Sequence, residues 1–306
     1  MRSFRLMALL AMCLMLLAAP VQAKTTITFW HGMGGELGEI TDEMIKEFNA
    51  SQDKYEVKGV YKGNYDEAMT AAIAAFRAKQ HPNLIQIFEV GTASMMAAKG
   101  AIRPVYEIME AAGTPVDTSK LLGSVASYYS STDGKLIAMP FNASTTVLYY
   151  NKDAVKKAGG DPDHFPTTWP EVAELAKKIK ESGACKYGLT SGWQSWVQLE
   201  SFSAWHNVPF ATNNNGYDGL DTKLLFNSPL HVKHIDFLSK LQKDGVMVYV
   251  GRKSEAINAF TSGEAGILMN SSGSYAAVIS PMQFASQPKP AQLFLRADGT
   301  VVNTDF

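Results

Sequence analysis

The chain has 306 residues, 28 lysines and arginines against 29 acids, and 46% hydrophobic residues. A near-neutral balance with no basic run argues against a nucleic-acid partner or an anionic membrane surface. The apolar content supports a sizeable core, at a length where single cores begin to divide in two.

The first residues, Met1-Arg2-Ser3-Phe4-Arg5, lead into an uncharged apolar run from Leu6 to Ala19 and then Val21-Gln22-Ala23, whose ends suit signal peptidase. This pattern predicts a secretory signal over 1–23, cleaved after Ala23, and a periplasmic mature protein. Cys13 lies inside the apolar run, so no lipoprotein site is expected there. Cleavage removes Arg2 and Arg5, leaving 26 basic residues against 29 acids and a net charge of about −3. Cys185 is then the single cysteine and forms no internal disulfide; no later apolar run nears the roughly 20 residues that span a bilayer.

Thr25 to Trp30 reads as a strand. The turn Gly32-Met33-Gly34-Gly35 follows, then a helix whose apolar face is Leu37, Ile40, Met44 and Phe48. A second strand, Tyr55 to Tyr61, precedes Asn64, which is placed to cap a helix from Tyr65 to Lys79 burying Met69, Ile73 and Phe76. A third strand, Leu84 to Phe88, delivers Glu89 ahead of Gly91-Thr92 and a helix rich in Ala and Met. Alternation at this spacing implies a mainly parallel sheet covered on both faces, with ligand binding beyond the carboxyl ends of the strands. Trp30, His31, Tyr65 and Glu89 fall there.

The stretch from Met139 to Lys152 carries small polar side chains into an apolar, aromatic run and opens a new helix, a pattern that suits a hinge strand between two lobes. Thr168-Trp169-Pro170-Glu171 is a capping box with proline in the first turn, starting a helix with Val172, Leu175, Ala176 and Ile179 on one face. An aromatic region follows with Trp193, Trp196, Phe202 and Trp205, and then a polar surface loop over 213–219. Further on, Ser254 to Ser262 fits a helix closed by Gly263, and Gly266 to Met269 fits a buried strand emptying into Asn270-Ser271-Ser272-Gly273-Ser274.

Trp30-His31 through Gly35-Glu36-Leu37, Tyr61-Lys62-Gly63-Asn64-Tyr65, Phe88-Glu89-Val90-Gly91-Thr92 and Pro140-Phe141-Asn142-Ala143-Ser144-Thr145 come in this order. Ser191-Gly192-Trp193-Gln194, Tyr249-Val250-Gly251-Arg252-Lys253 and Ser271-Ser272-Gly273-Ser274 follow. Together they closely resemble the glycerol-3-phosphate-binding branch of family 1 of the extracellular solute-binding proteins, the periplasmic components of bacterial ABC importers, over roughly residues 24 to 277. The resemblance implies an α/β, type II periplasmic-binding-protein fold of two lobes, each a mainly parallel sheet flanked by helices, here with its C-terminal part missing. The boundaries that follow are a signal peptide over 1–23, an N-terminal lobe over 24–143, a partial second lobe over 144–277 and an aberrant tail over 278–306. The implied function is capture of sn-glycerol 3-phosphate and glycerophosphodiesters and delivery to two permease subunits driven by two ATPase subunits, with no cofactor, no metal and no nucleic acid.

Carried over by position, the family's ligand residues are Tyr65, Glu89, Ser144, Trp193 and Ser271. A carboxylate about 4 Å from a phosphate dianion is repelled by about 4 kcal/mol at an effective dielectric near 20, so Glu89 is expected on the polyol hydroxyls. Tyr65 and Trp193 offer flat faces to the carbon chain. Ser144 and Ser271 mark the phosphate end, where a helix N-terminus adds roughly 0.3–2 kcal/mol toward an anion. Each has a structural alternative: packing for the aromatic pair, an ordinary N-cap for Ser271, a solvated or capping acid for Glu89. Trp30, His31, Trp196 and Arg252 read as packing or lobe-surface residues.

An enzyme reading finds little support. The histidines, His31, His81, His164, His206, His231 and His234, are scattered; the last two share a helix face without a neighbouring acid to complete a ligand set. No Gly-x-Ser-x-Gly elbow or phosphate-cradling loop with lysine is present. Another sugar or polyol, held in the same fold and aromatic cleft, is the alternative ligand class, with a glycerophosphodiester hydrolase behind it. The tail from Ser280-Pro281-Met282-Gln283-Phe284 onward departs from the family in the manner of a frameshift or truncation; it is expected to be irregular to Pro290, with one hairpin around Asp298-Gly299. By the resemblance, the part that would follow supplies a glycine, a tyrosine and an arginine to the ligand, so this chain is expected to bind weakly or fold poorly.

Overall fold

In the computed structural model the described residues are 23–88, 91–92, 94–95, 98, 100–219 and 221–284. The signal segment, Glu89 and the hairpin expected around Asp298-Gly299 lie outside them. Among the described residues no helix is long and apolar enough to cross a membrane. The chain divides into two compact units, 1–103 and 104–306. Residues 104–143, expected in the N-terminal lobe, fall in the second of these units, where Tyr128 meets Tyr217 edge-on at 6.3 Å.

The first unit is built on strands β1 (Thr25–His31), β2 (Tyr55–Tyr61) and β3 (Leu84–Ile85), in the order β2-β1-β3 and all parallel. Helix α1 (Gly35–Ser51) links β1 to β2, and α2 (Tyr65–Arg77) links β2 to β3. Outward winding from a central first strand places the two crossovers on opposite sheet faces, as right-handed connections require. Asn64 caps α2: its Oδ1 accepts from the N–H groups of Asp66 and Glu67 at 3.0 and 3.2 Å, and Glu67 Oε2 accepts from Asn64 N at 2.7 Å.

The two helices do not bury the residues expected. Leu37, Ile40, Met44 and Phe48 are 40–54% exposed, and α1 buries Thr41 instead. On α2 the buried residues are Ala68 and Ala72, while Ile73 and Phe76 are about two-fifths exposed. Three strands at roughly 4.8 Å spacing span only about one helix diameter, so small residues make the close approach and the rest of the apolar stripe overhangs the sheet. Strand β3 also pairs over two residues rather than the five expected.

The second unit holds four strands, β4 (Thr146–Tyr150), β5 (Tyr187–Ser191), β6 (Met247–Val248) and β7 (Ala265–Ser271), in the order β4-β7-β5-β6. β5 runs parallel to both β6 and β7, and β4 is antiparallel to β7 with Thr146 opposite Ser271. The segment 139–145 has no regular structure, so of the expected hinge strand only Thr146–Tyr150 is a strand. Short helices α3 (Val105–Ala111), α4 (Gly123–Tyr128) and α5 (Lys152–Lys157) precede α6 (Trp169–Glu181). The α6 face is the one its periodicity predicts: Val172, Leu175, Ala176 and Ile179 are all buried, and Pro170 stands in the first turn. A side chain at Gly188 would meet the Ala176 carbonyl oxygen at 1.9 Å, so α6 rests directly on the backbone of β5.

One turn of π-helix, Trp196–Glu200, runs into α7 (Ser201–Trp205). Helix α8 (Pro229–Lys243) buries His231, His234, Leu238 and Leu241, and α9 (Glu255–Thr261) buries Ala256, Ala259 and Phe260. The polar loop is a tight turn with Asn213, Asn214 and Asn215 at φ 53, 52 and 55° ahead of Gly216. Asparagine and glycine tolerate that left-handed region best. Helix α10 (Tyr275–Phe284) corrects the expectation of irregular chain from Ser280 onward: the backbone is helical to Phe284. Val278, wholly buried with Phe260 and Leu268, anchors it.

Candidate functional site

In the first unit Tyr65 opens α2 just past the carboxyl end of β2. Its ring stacks on Phe88 at 5.3 Å between centroids and 12° between planes, and it is half-buried beside Gly32. The Gly32 N–H donates to Gln86 Oε1 at 3.0 Å, which ties the loop after β1 to the one after β3. Trp30 takes the Lys62 ammonium over its ring at 3.9 Å, and His31 is buried, where desolvation pushes its pKa down against the opposing pull of Asp42. Both behave as packing residues.

In the second unit the loops after β5 and β7 and the lead into β4 converge. Ser144 Oγ and Ser271 Oγ both flank Gly273, at 3.0 and 3.3 Å from the position of a Cβ there. Ser271 caps the turn that leads into α10, its Oγ accepting from Gly273 N at 3.1 Å. Two bonds lock the turn to the lead into β4: Ser272 N donates to Thr145 O at 2.8 Å, and Thr145 N to Ser272 Oγ at 3.1 Å. The wholly buried Tyr149 donates from its hydroxyl to Ser271 O at 2.8 Å, and burial raises its pKa well above the ordinary tyrosine value. Ser144 is exposed and Ser271 half-buried, so both hydroxyls border solvent. The capping role and the ligand role of Ser271 are therefore compatible, since a hydroxyl that accepts one hydrogen bond still has its proton to donate.

Trp193 follows β5 at φ +50°, a left-handed conformation that costs a tryptophan strain and that such sites tolerate where the surroundings enforce it. It is half-buried and packs against the core of this unit. The strand end behind it is held by polar groups: Gln194 Nε2 donates to Ser191 O at 2.8 Å, and buried Gln198 donates to Ser191 Oγ at 2.9 Å. Gln198 Oε1 in turn meets His234 Nε2 at 2.8 Å. Gln198 lies buried within the π turn, an insertion of the kind that often sits at functional sites.

Of the five residues expected at the ligand, Ser144 and Ser271 come together around Gly273; Trp193 and Tyr65 each stand at a strand's carboxyl end, in different units. Trp196 is a core-packing residue and Arg252 is exposed. Sequence reasoning overlooked Gly192, Gln198 and Asn270. A glycine directly after a strand-end serine was the available signal for the first; the other two read as ordinary polar residues until packing buries them. Among the described residues no group of three or more His, Cys, Asp or Glu side chains could hold a metal ion.

Residues 43–305 match the family described as bacterial extracellular solute-binding protein. The chain is 51% identical to the sn-glycerol-3-phosphate-binding periplasmic protein UgpB of Brucella abortus (strain 2308), covering 84% of this chain and 59% of that protein. The proteins of the same name from Rhizobium meliloti (strain 1021) and Escherichia coli O6:K15:H31 are also 51% identical, over 84% and 85% of this chain and 60% and 59% of theirs. The chain thus spans about three-fifths of the length of these relatives. Among solved structures, UgpB from Mycobacterium tuberculosis in complex with glycerophosphocholine superposes with a TM-score of 0.71 at 21% identity, covering 84% of this chain and 65% of that one. The GacH receptor of Streptomyces glaucescens gives 0.72 at 19%, covering 88% and 68%. Identities this low speak for the fold, which is that of the substrate-binding proteins of the maltose-binding type. The chain belongs to the bacterial extracellular solute-binding proteins.

Proposed function

We propose that this chain belongs to the periplasmic, non-enzymatic binding component of an ABC importer that takes sn-glycerol 3-phosphate and glycerophosphodiesters. It hands them to a membrane permease of two subunits driven by two ATPase subunits. The observation that carries the reading is the 51% identity, over 84% of the chain, to proteins named for binding sn-glycerol 3-phosphate. The geometry of the second unit supports it. Two hydroxyls flank a glycine at the start of α10, whose N-terminal backbone favours an anion, and an indole stands at the neighbouring strand end. Ser144 and Ser271 are assigned to the phosphate, Trp193 and Tyr65 to the carbon chain, and Glu89 to the glycerol hydroxyls.

Calorimetry tests this. Heat on adding sn-glycerol 3-phosphate or glycerophosphocholine, with the ligand recovered intact, is the expected result. Heat only with maltose or other neutral sugars, or release of glycerol from a diester, would replace the reading with a sugar receptor or a hydrolase.

A further inference from the structure

The loop between β6 and α9 brings a cation to the cluster that holds Trp193. Lys253 is half-buried, and its ammonium lies 6.0 Å from the centroid of the Trp193 ring, at the outer reach of a cation–π contact. The two loops are in direct backbone contact: a Cβ on Gly192 would sit 2.4 Å from Lys253 O and 2.9 Å from Asn270 Nδ2. Any residue other than glycine at 192 would push the Lys253 loop off the Trp193 loop. Asn270, wholly buried, completes the arrangement by accepting from Ser271 N at 2.7 Å and from Ser274 Oγ at 3.3 Å.

The acid that meets this loop is Glu255, the first residue of α9. Its Oε2 accepts from Lys253 N at 2.7 Å, and hydrogen bonds from its own and the Lys253 backbone N–H hold its carboxyl below the usual range. The carboxylate thus fixes the backbone that carries the lysine. A site for a neutral polyol has no use for a cation beside its aromatic wall, whereas a phosphate ester does.

Resting on the reading above, we propose that Lys253 is a specificity-determining residue: its ammonium meets the phosphate of an ester whose carbon chain lies against Trp193. Gly192 and Asn270 are positioning residues that hold the lysine, indole and Ser271 turn together. The lysine then decides between anionic and neutral ligands, while the serine hydroxyls orient the bound phosphate.

The test is calorimetric titration of the purified chain and of Lys253→Met and Lys253→Arg with sn-glycerol 3-phosphate and with glycerol, at low and at moderate salt. Lys253→Met is expected to bind sn-glycerol 3-phosphate roughly 10- to 100-fold more weakly, the range for losing a charged hydrogen bond, and to lose most of the salt dependence. Lys253→Arg should recover most of the affinity, and glycerol binding should stay within about twofold throughout. A melting temperature for each variant separates loss of charge from loss of fold. If wild type binds phosphate esters and Lys253→Met binds them equally well with the same salt dependence, the assignment of Lys253 is wrong and the functional reading stands. A wild-type chain that melts cooperatively and, titrated at millimolar ligand, takes no phosphate ester overturns both.

Discussion

His234 couples the stability of the second unit to pH. Its ring is 1% exposed, stacked on Phe202 at 4.0 Å and 15°, tilted against Trp169 at 5.3 Å, with Nε2 on Gln198 Oε1. Burial first, then repulsion from His206 and His231, lowers its pKa from 6.5 to about 3. The sign follows directly. Between these values the unfolded chain carries a proton that the folded one refuses, so stability is full above about pH 6.5 and falls as pH drops toward 3. One pKa unit corresponds to about 1.4 kcal/mol, so moving from pH 7.5 to pH 5 costs this residue alone about 2 kcal/mol. His231, depressed for the same leading reason, adds in the same direction. Urea unfolding read by tryptophan emission suits the measurement, since Trp169, Trp193, Trp196 and Trp205 all lie in this unit. His234→Gln keeps a donor for Gln198 and removes the titration. Each protein is referred to its own stability at pH 7.5, and the variant should lose about 2 kcal/mol less on going to pH 5. Equal losses in the two proteins would refute the argument.

Other outcomes follow from single contacts. Gly188→Ala places a methyl 1.9 Å from the Ala176 carbonyl oxygen, a backbone atom with no rotamer to yield, and should cost at least about 3 kcal/mol in a urea melt. Ser271→Ala removes the acceptor for Gly273 N and should lower stability by about 1 kcal/mol while weakening phosphate-ester binding in the same titration. Trp193→Ala should raise the Kd for sn-glycerol 3-phosphate roughly 10- to 100-fold through lost aromatic burial, with less effect on melting than Gly188→Ala. Cys185 is buried with its thiol pKa raised by desolvation, so a thiol reagent should leave it unmodified in buffer and label it fully in denaturant.

Local pattern carried much of the architecture because capping and periodicity are short-range. The Asn64 cap, the four buried positions of α6 and the buried run of β7 from Ala265 to Asn270 are legible in a dozen residues each, and alternation of strand and helix implied parallel sheets. The same reasoning failed on α1 and α2. Periodicity finds an apolar stripe but does not say how wide the opposing sheet is, and a three-stranded sheet leaves Ile40 and Met44 half in solvent. At the candidate site, a serine or tryptophan at a strand end was visible as a residue type. That Ser144 and Ser271, 127 positions apart, share one glycine was not, because only the antiparallel pairing of β4 with β7 brings them together. Sequence by itself therefore determined the elements, the class of fold and, through resemblance, which residues to watch. Tertiary structure alone decided which of them meet, which helix faces are covered, and that Lys253 lies beside Trp193, since each depends on backbone approach between segments far apart in the chain.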